Sequence, residues 1–218
     1  EMVKANGGNV VGSVRHPLNA SDFSSFIMQA QASKAQVIGM ANATQDAVNT
    51  IKASREFGIV DKGQKLATLM LQVTDVHAMG LQVAQGLVSS EGFYWDMDDQ
   101  TRALSTRFEK LHKGYKPTMV QAGVYSSTLH YLRTVATAKT DDWKVVAKKM
   151  RELPIKDPVM RNASIRDDGR VIHDMYLFEV KKPAESKAPW DYYKTVSTIP
   201  AQIAFKPLEN SSCPLVKK

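Results

Sequence analysis

The sequence predicts an α/β fold built on a parallel sheet flanked by helices, and two observations carry that reading. First, short β-branched runs alternate with helical stripes through the first half of the chain. Second, the runs Val37-Ile38-Gly39-Met40-Ala41 and Leu66-Ala67-Thr68-Leu69-Met70-Leu71 are apolar on both faces. A strand covered by helices on both sides needs that pattern, and its connections are right-handed crossovers.

The chain opens on Glu1-Met2-Val3-Lys4-Ala5-Asn6-Gly7-Gly8, which reads as the last turn of a helix with a glycine stop. Residues are therefore expected upstream of Glu1. Val10 to Val14 reads as a strand ended by Pro17. Ser21-Asp22 then caps a helix whose buried face is Phe23, Phe26, Ile27 and Ala30. After the strand at Val37, Asn42 or Thr44 caps a helix carrying Ala47, Val48 and Ile51, which stops at Gly58. The strand at Leu66 is followed by a short helix around Val76 to Ala84 and a strand from Gly86 to Phe93.

The middle of the chain changes character. Asp98 to His112 is an amphipathic helix, and Thr118 to Ala138 is a long helix with few charges. Val120, Val124, Leu129, Tyr131, Leu132 and Val135 make it apolar most of the way round, which predicts a well-buried helix. Asp141 starts another helix with the stripe Trp143, Val146, Ala147, Met150 and Leu153, ended by Pro154. Asp168-Gly169 signals a hairpin between Ile165 and the run Val171 to Val180, and Trp190 to Ile199 reads as one more strand.

Composition excludes several function classes. The 218 residues carry 43% hydrophobic and 23% charged side chains, ordinary globular values that predict an ordered chain up to Pro207. The net charge of +7 is dispersed; Lys148, Lys149 and Arg151 share one helix, and Lys181-Lys182 and Lys217-Lys218 are short edge or tail pairs. No basic stripe is interleaved with aromatics, so nucleic acid is not an expected partner. The single cysteine, Cys213, excludes an internal disulfide and a cysteine zinc site.

The search for catalysis is negative. There is no P-loop, no dinucleotide fingerprint and no nucleophile elbow. His16, His77, His112, His130 and His173 never fall at metal-ligand spacing, so no metal and no cofactor are expected. The pairs Asp98-Asp99, Asp141-Asp142 and Asp167-Asp168 fit helix starts and a turn. The triplets at Asn19, Asn42, Asn162 and Asn210 read as turn and cap chemistry. What remains is geometry, because ligands of open α/β sheets sit at the carboxyl ends of strands. Three such ends are polar: His16 with Asn19, Asn42-Ala43-Thr44, and Gln72-Val73-Thr74-Asp75. The second runs into a helix amino terminus, which favours an anion; helix capping explains the same residues more simply.

An ordered series of segments resembles the branched-chain amino acid-type ABC transporter substrate-binding proteins. The series is Val11-Gly12-Ser13-Val14-Arg15-His16-Pro17-Leu18-Asn19, then Ala32-Ser33-Lys34-Ala35-Gln36-Val37-Ile38 and Arg55-Glu56-Phe57-Gly58. It continues through Phe93-Tyr94-Trp95-Asp96, Pro117-Thr118-Met119-Val120-Gln121, Arg166-Asp167-Asp168-Gly169-Arg170 and His173-Asp174-Met175-Tyr176. The resemblance covers nearly the whole chain but only the carboxy-terminal part of a usual family member.

The resemblance implies a type I periplasmic-binding-protein fold with two lobes and a hinge, the first lobe incomplete. Residues 1–94 and 174–218 would form the second lobe and 95–173 part of the first, with Trp95 and Asp96 on a crossing hinge strand. It implies a ligand between the lobes, met by Asn42, Ala43, Thr44, Gln72, Thr74, Asp75 and Gln121. The partner would be a membrane permease, the place the periplasm, and the state a monomer when full length, with no bond chemistry. A second cysteine upstream would match Cys213. Family members that bind amino acids place an aromatic in the first loop and an acid in the second. Here Ala43 and Thr44 stand in the first, and Leu69 to Gln72 hold no acid, leaving Asp75 as the substitute. A buried unpaired ammonium is costly, so the expected ligand is a small carboxylate, an aromatic or aliphatic organic acid without an amine ahead of an amino acid. A ligand-sensing receptor domain on the same fold is the alternative. The isolated chain is expected to bind weakly.

Overall fold

The computed structural model describes residues 2–216. Glu1 and the Lys217-Lys218 pair lie outside them. The chain runs α1 (Met2–Ala5), α2 (Ser24–Ala32), β1 (Val37–Met40), α3 (Thr44–Glu56), β2 (Lys65–Thr68), α4 (Val73–Met79), α5 (Leu81–Ala84) and β3 (Val88–Glu91). Then come α6 (Asp99–Leu111), α7 (Met119–Ala138), α8 (Trp143–Glu152), β4 (Ser164–Ile165), β5 (Val171–Ile172), β6 (Met175–Val180), β7 (Tyr193–Ile199) and α9 (Ala201–Ala204). Five strands hydrogen-bond in the order β1-β2-β3-β6-β7, and β4-β5 form a separate pair. β1 with β2 and β2 with β3 are parallel. This is the α/β architecture expected from the sequence, with helices alternating with the strands of a parallel-dominated sheet.

Two compact units divide the chain: 1–89 with 179–194, and 90–178 with 195–218. The backbone passes from one to the other at Ser89-Ser90, Phe178-Glu179 and Lys194-Thr195. The first unit buries Ile27, Ile51, Leu66, Leu71, Val76 and Leu87. The second has its own cluster of Phe93, Leu104, Ala122 and Val159, with Trp95, Met119, Tyr125 and Met160 packed on it. The residues after Lys194 group with the second unit, not with the first as the resemblance implied.

Elements with local signals form as expected. Asp98 caps α6 by accepting the Thr101 N–H at 2.9 Å. Thr118 starts α7, where Gln121 Oε1 accepts the Thr118 N–H at 2.9 Å in a reciprocal capping box. The Asp168-Gly169 turn joins β4 and β5 as an antiparallel hairpin, with Gly169 at φ 78°, a conformation a Cβ would strain.

Several elements differ. Val10 to Val14 forms no strand, and Val10, Val11 and Val14 are exposed. A β-branched run becomes a strand only by pairing, and no described strand pairs with it. β1 is the sheet edge, so Val37 is 54% exposed and the strand is not covered on both faces. β2 ends at Thr68, leaving Leu69 and Met70 beyond it. Gly80 splits the expected helix into α4 and α5. The N-cap of α2 is Phe23, and Asp22 instead binds Ser24 through both its N–H and hydroxyl. Asp142, not Asp141, caps α8, whose Trp143 is 72% exposed. His173-Asp174 interrupts the strand expected over 171–180, because His173 Nδ1 bonds the Asp174 carbonyl at 2.8 Å. β7 begins at Tyr193; Trp190, at φ 71°, stacks on His77 at 3.9 Å instead of extending the strand.

α7 reverses the expectation most clearly. It buries Ala122, Ser126, His130 and Thr134, one residue in every four, and leaves Val120, Val124, Tyr131 and Leu132 exposed. Small side chains on an i, i+4 row let a neighbouring helix approach closely, and α8 is that neighbour. His130 Nε2 donates to the Met150 carbonyl of α8 at 2.9 Å.

Candidate functional site

The two strand-end loops of the first unit leave the same sheet edge side by side. Met40, the last residue of β1, pairs with Thr68, the last of β2, and the Leu69 N–H donates to the Met40 carbonyl at 2.9 Å. Parallel pairing therefore sets Asn42 to Thr44 next to Leu69 to Gln72 at the carboxyl edge, the usual ligand position of such sheets.

Asn42 does not cap α3. The N-cap is Ala43, which offers no side-chain acceptor. Asn42 Nδ2 instead bonds His16 Nε2 at 2.8 Å and Thr50 Oγ1 at 2.9 Å. The Thr50 hydroxyl donates to the Asp46 carbonyl one turn back at 2.7 Å. Asp46 is buried, and its Oδ2 accepts the Asn19 N–H at 3.0 Å. The imidazole of His16 packs edge-on against Phe23 at 4.9 Å and beside Phe26 at 5.9 Å. Thus His16, Asn19 and the Asn42 turn are tied into one network.

Thr44 is not a cap either. It is the first residue of α3 and sits at φ 53°, in the left-handed region that β-branched residues rarely adopt. Strain of this kind persists where the surroundings impose it and recurs at ligand sites. The N-cap residue offers no side chain to the first-turn amides of α3, and Asp46 is the acid of that turn.

On the adjacent loop Leu69 is 60% and Met70 51% exposed. Two large apolar side chains thus stand open beside the polar Asn42 to Thr44 turn. Gln72 and Asp75 belong to the start of α4, where Asp75 Oδ2 accepts the Gln72 N–H at 2.8 Å. Burial pushes the Asp75 carboxyl above the ordinary carboxylate range, and that hydrogen bond restores only part of the difference. Thr74 lies half-buried in the first turn of α4.

The remaining expected residues lie in the second unit. Gln121 is engaged in the α7 capping box. Trp95 and Asp96 lie in the turn before α6, past the end of β3, and not on a crossing strand. Lys116 stands 3.9 Å over the Trp95 ring, and Arg102 pairs with Asp96 at 2.8 Å, which holds both residues on that unit. The sequence reading missed Thr50, Asp46 and the open Leu69-Met70 pair. Asp46 and Thr50 are four apart in a helix and so share a face, but only the fold shows that Asn42 lies over it.

Among the described residues, no group of three or more His, Cys, Asp or Glu could hold a metal ion, and no helix is long and apolar enough to cross a membrane.

A family model described as periplasmic binding protein matches residues 1–187. Among solved structures, a periplasmic binding protein from Burkholderia mallei is 50% identical with a TM-score of 0.91, over 98% of this chain and 56% of that one. A branched-chain amino acid ABC transporter periplasmic ligand-binding protein from Burkholderia xenovorans LB400 is 42% identical with a TM-score of 0.88, over 97% and 56%. An ABC transporter solute-binding protein from Rhodopseudomonas palustris HaA2, in complex with p-hydroxybenzoic acid, shares the fold at 22% identity and a TM-score of 0.78, over 91% and 54%. The chain thus spans little more than half the length of these proteins. No curated protein matches it. The chain belongs to the periplasmic binding protein family, among the relatives of the branched-chain amino acid ABC transporter binding proteins.

Proposed function

We propose that this chain is the ligand-binding part of a periplasmic solute-binding protein that serves an ABC uptake permease, and that it binds without bond chemistry. The first unit corresponds to the second lobe of such a protein and the second unit to part of the first lobe. The ligand is a small carboxylate with an apolar body, an aromatic or aliphatic organic acid. One observation carries this: the carboxyl edge of the first unit pairs an uncapped helix amino terminus with two open apolar side chains, Leu69 and Met70. The α3 amides suit the carboxylate, and Leu69 and Met70 suit a ring or alkyl chain. An ammonium finds little here, because Leu69 to Gln72 hold no acid and Asp75 stands half-buried in the first turn of α4, with Oδ2 on the Gln72 N–H. The p-hydroxybenzoic acid held by the R. palustris protein is a ligand of this chemistry and supplies the probe.

The test grafts this chain in place of the matching region of the B. mallei protein, to which it is 50% identical. Titration calorimetry with 4-hydroxybenzoate then compares the chimera with its Leu69→Asp variant. The proposal expects saturable binding that weakens at least tenfold in the variant. Equal binding by both would remove Leu69 from the site, and no binding of any aromatic or aliphatic acid would reject the ligand class.

A further inference from the structure

The hydrogen bonds around Asn42 fit a neutral His16. The Thr50 hydroxyl spends its proton on the Asp46 carbonyl, so toward Asn42 it can only accept. The Asn42 atom facing it is therefore the amide nitrogen. That same nitrogen faces His16 Nε2 at 2.8 Å, so Nε2 must accept and carries no proton. Independently, His16 Nδ1 lies 2.8 Å from the Pro17 carbonyl, a group that only accepts, so Nδ1 must carry the proton. Both constraints give the neutral imidazole protonated at Nδ1.

We propose that His16 is a positioning residue that holds the Asn42-Ala43-Thr44 turn in its binding arrangement only while its imidazole is neutral. The inference deepens the assignment of this turn to the ligand site and rests on it. A proton on Nε2 would oppose the Asn42 amide hydrogens. Turning the Asn42 amide over would answer that proton only if the Thr50 hydroxyl also swung its own proton away from the Asp46 carbonyl. We expect acidification to rearrange these Asn42 contacts, and with them the turn that leads into Thr44. Asp46 on α3 is engaged by the Asn19 N–H, Asp22 ahead of α2 is engaged by Ser24, and Arg15 precedes His16 on its own segment. α2 itself presents the phenyl rings of Phe23 and Phe26.

Long-range proton–nitrogen correlation on the 218-residue chain reads the tautomer, and backbone amide shifts read the turn. At neutral pH His16 is expected as the Nδ1–H form. On acidification the Asn42, Ala43 and Thr44 amides are expected to shift with the same midpoint as the His16 ring. His16→Gln places a non-titrating acceptor near the Nε2 position, so it should keep the turn's shifts and abolish their pH dependence; His16→Ala should lose both. In the B. mallei chimera, 4-hydroxybenzoate affinity should fall about tenfold once the His16 ring is protonated, and stay level in His16→Gln. An Nε2–H tautomer, or turn amides that ignore the ring's titration, overturns the proposal, as does a His16→Gln variant with wild-type pH dependence. If the nuclear magnetic resonance results hold while the chimera binds no aromatic acid at any pH, the positioning role stands and the ligand class fails.

Discussion

Asn42 donates from one amide nitrogen to both His16 Nε2, at 2.8 Å, and Thr50 Oγ1, at 2.9 Å. It thereby ties a segment without regular structure to the first helix after β1. Asn42→Ala removes both bonds and leaves the His16 nitrogen without its donor. Chemical denaturation should show a loss of about 1–2 kcal/mol. A change below about 0.3 kcal/mol would mean that the network forms no anchor.

Thr44 holds a left-handed conformation at φ 53°. For an L-residue that costs about 1–2 kcal/mol, and glycine avoids it at a smaller entropic cost. Thr44→Gly is therefore expected to raise stability by about 0.5–1 kcal/mol while weakening ligand binding, since the turn is no longer held. Thermal melting and calorimetry on the same protein would separate the two effects.

Gly92 sits in a tight place in the second unit. A Cβ there would meet His173 Cε1 at 2.9 Å, and that ring already packs edge-on against Phe205 at 5.2 Å. Gly92→Ala should destabilise by about 1–3 kcal/mol through overpacking. Gly12→Ala, where nothing lies within 4 Å of the new methyl group, serves as the control and should stay near wild type.

Asp168 is the clearest acid-sensitive group. The hydrogen bond from Arg166 lowers its carboxyl to about 2, with burial opposing and the Arg170 N–H assisting. A folded value below the unfolded value of 3.8 means stability that is present above pH 3.8 and lost as pH falls through about 2. Asp168→Asn removes that contribution, so the acid-unfolding midpoint should move upward in pH. An unchanged midpoint would mean that the Arg166–Asp168 pair is broken in solution.

Much of the fold was legible because its signals are local. The caps Asp98 and Thr118 act on amides of their own helices, and Asp168-Gly169 turns the chain on itself; each needs no distant partner. What failed depends on contacts between distant residues. Val10 to Val14 has strand composition, but pairing makes a strand and composition cannot supply it. α7 looks apolar all round; its buried face is the small and polar row Ala122, Ser126, His130 and Thr134, chosen by the approach of α8. The site was half legible. Asn42 and Thr44 were marked by their place after a strand, yet neither is the cap: Asn42 is bonded to a partner 26 positions away in the chain, and Thr44 falls inside α3. Leu69 and Met70 read as strand core because they continue an apolar run, but β2 stops short of them.

The most direct measurement is the ratio of dissociation constants for 4-hydroxybenzoate and leucine in the B. mallei chimera, taken by titration calorimetry at neutral pH. The account predicts that the aromatic acid binds at least tenfold tighter, because the carboxyl edge offers helix amides and apolar side chains but no open acid for an ammonium. Tight leucine binding with none for 4-hydroxybenzoate would contradict it.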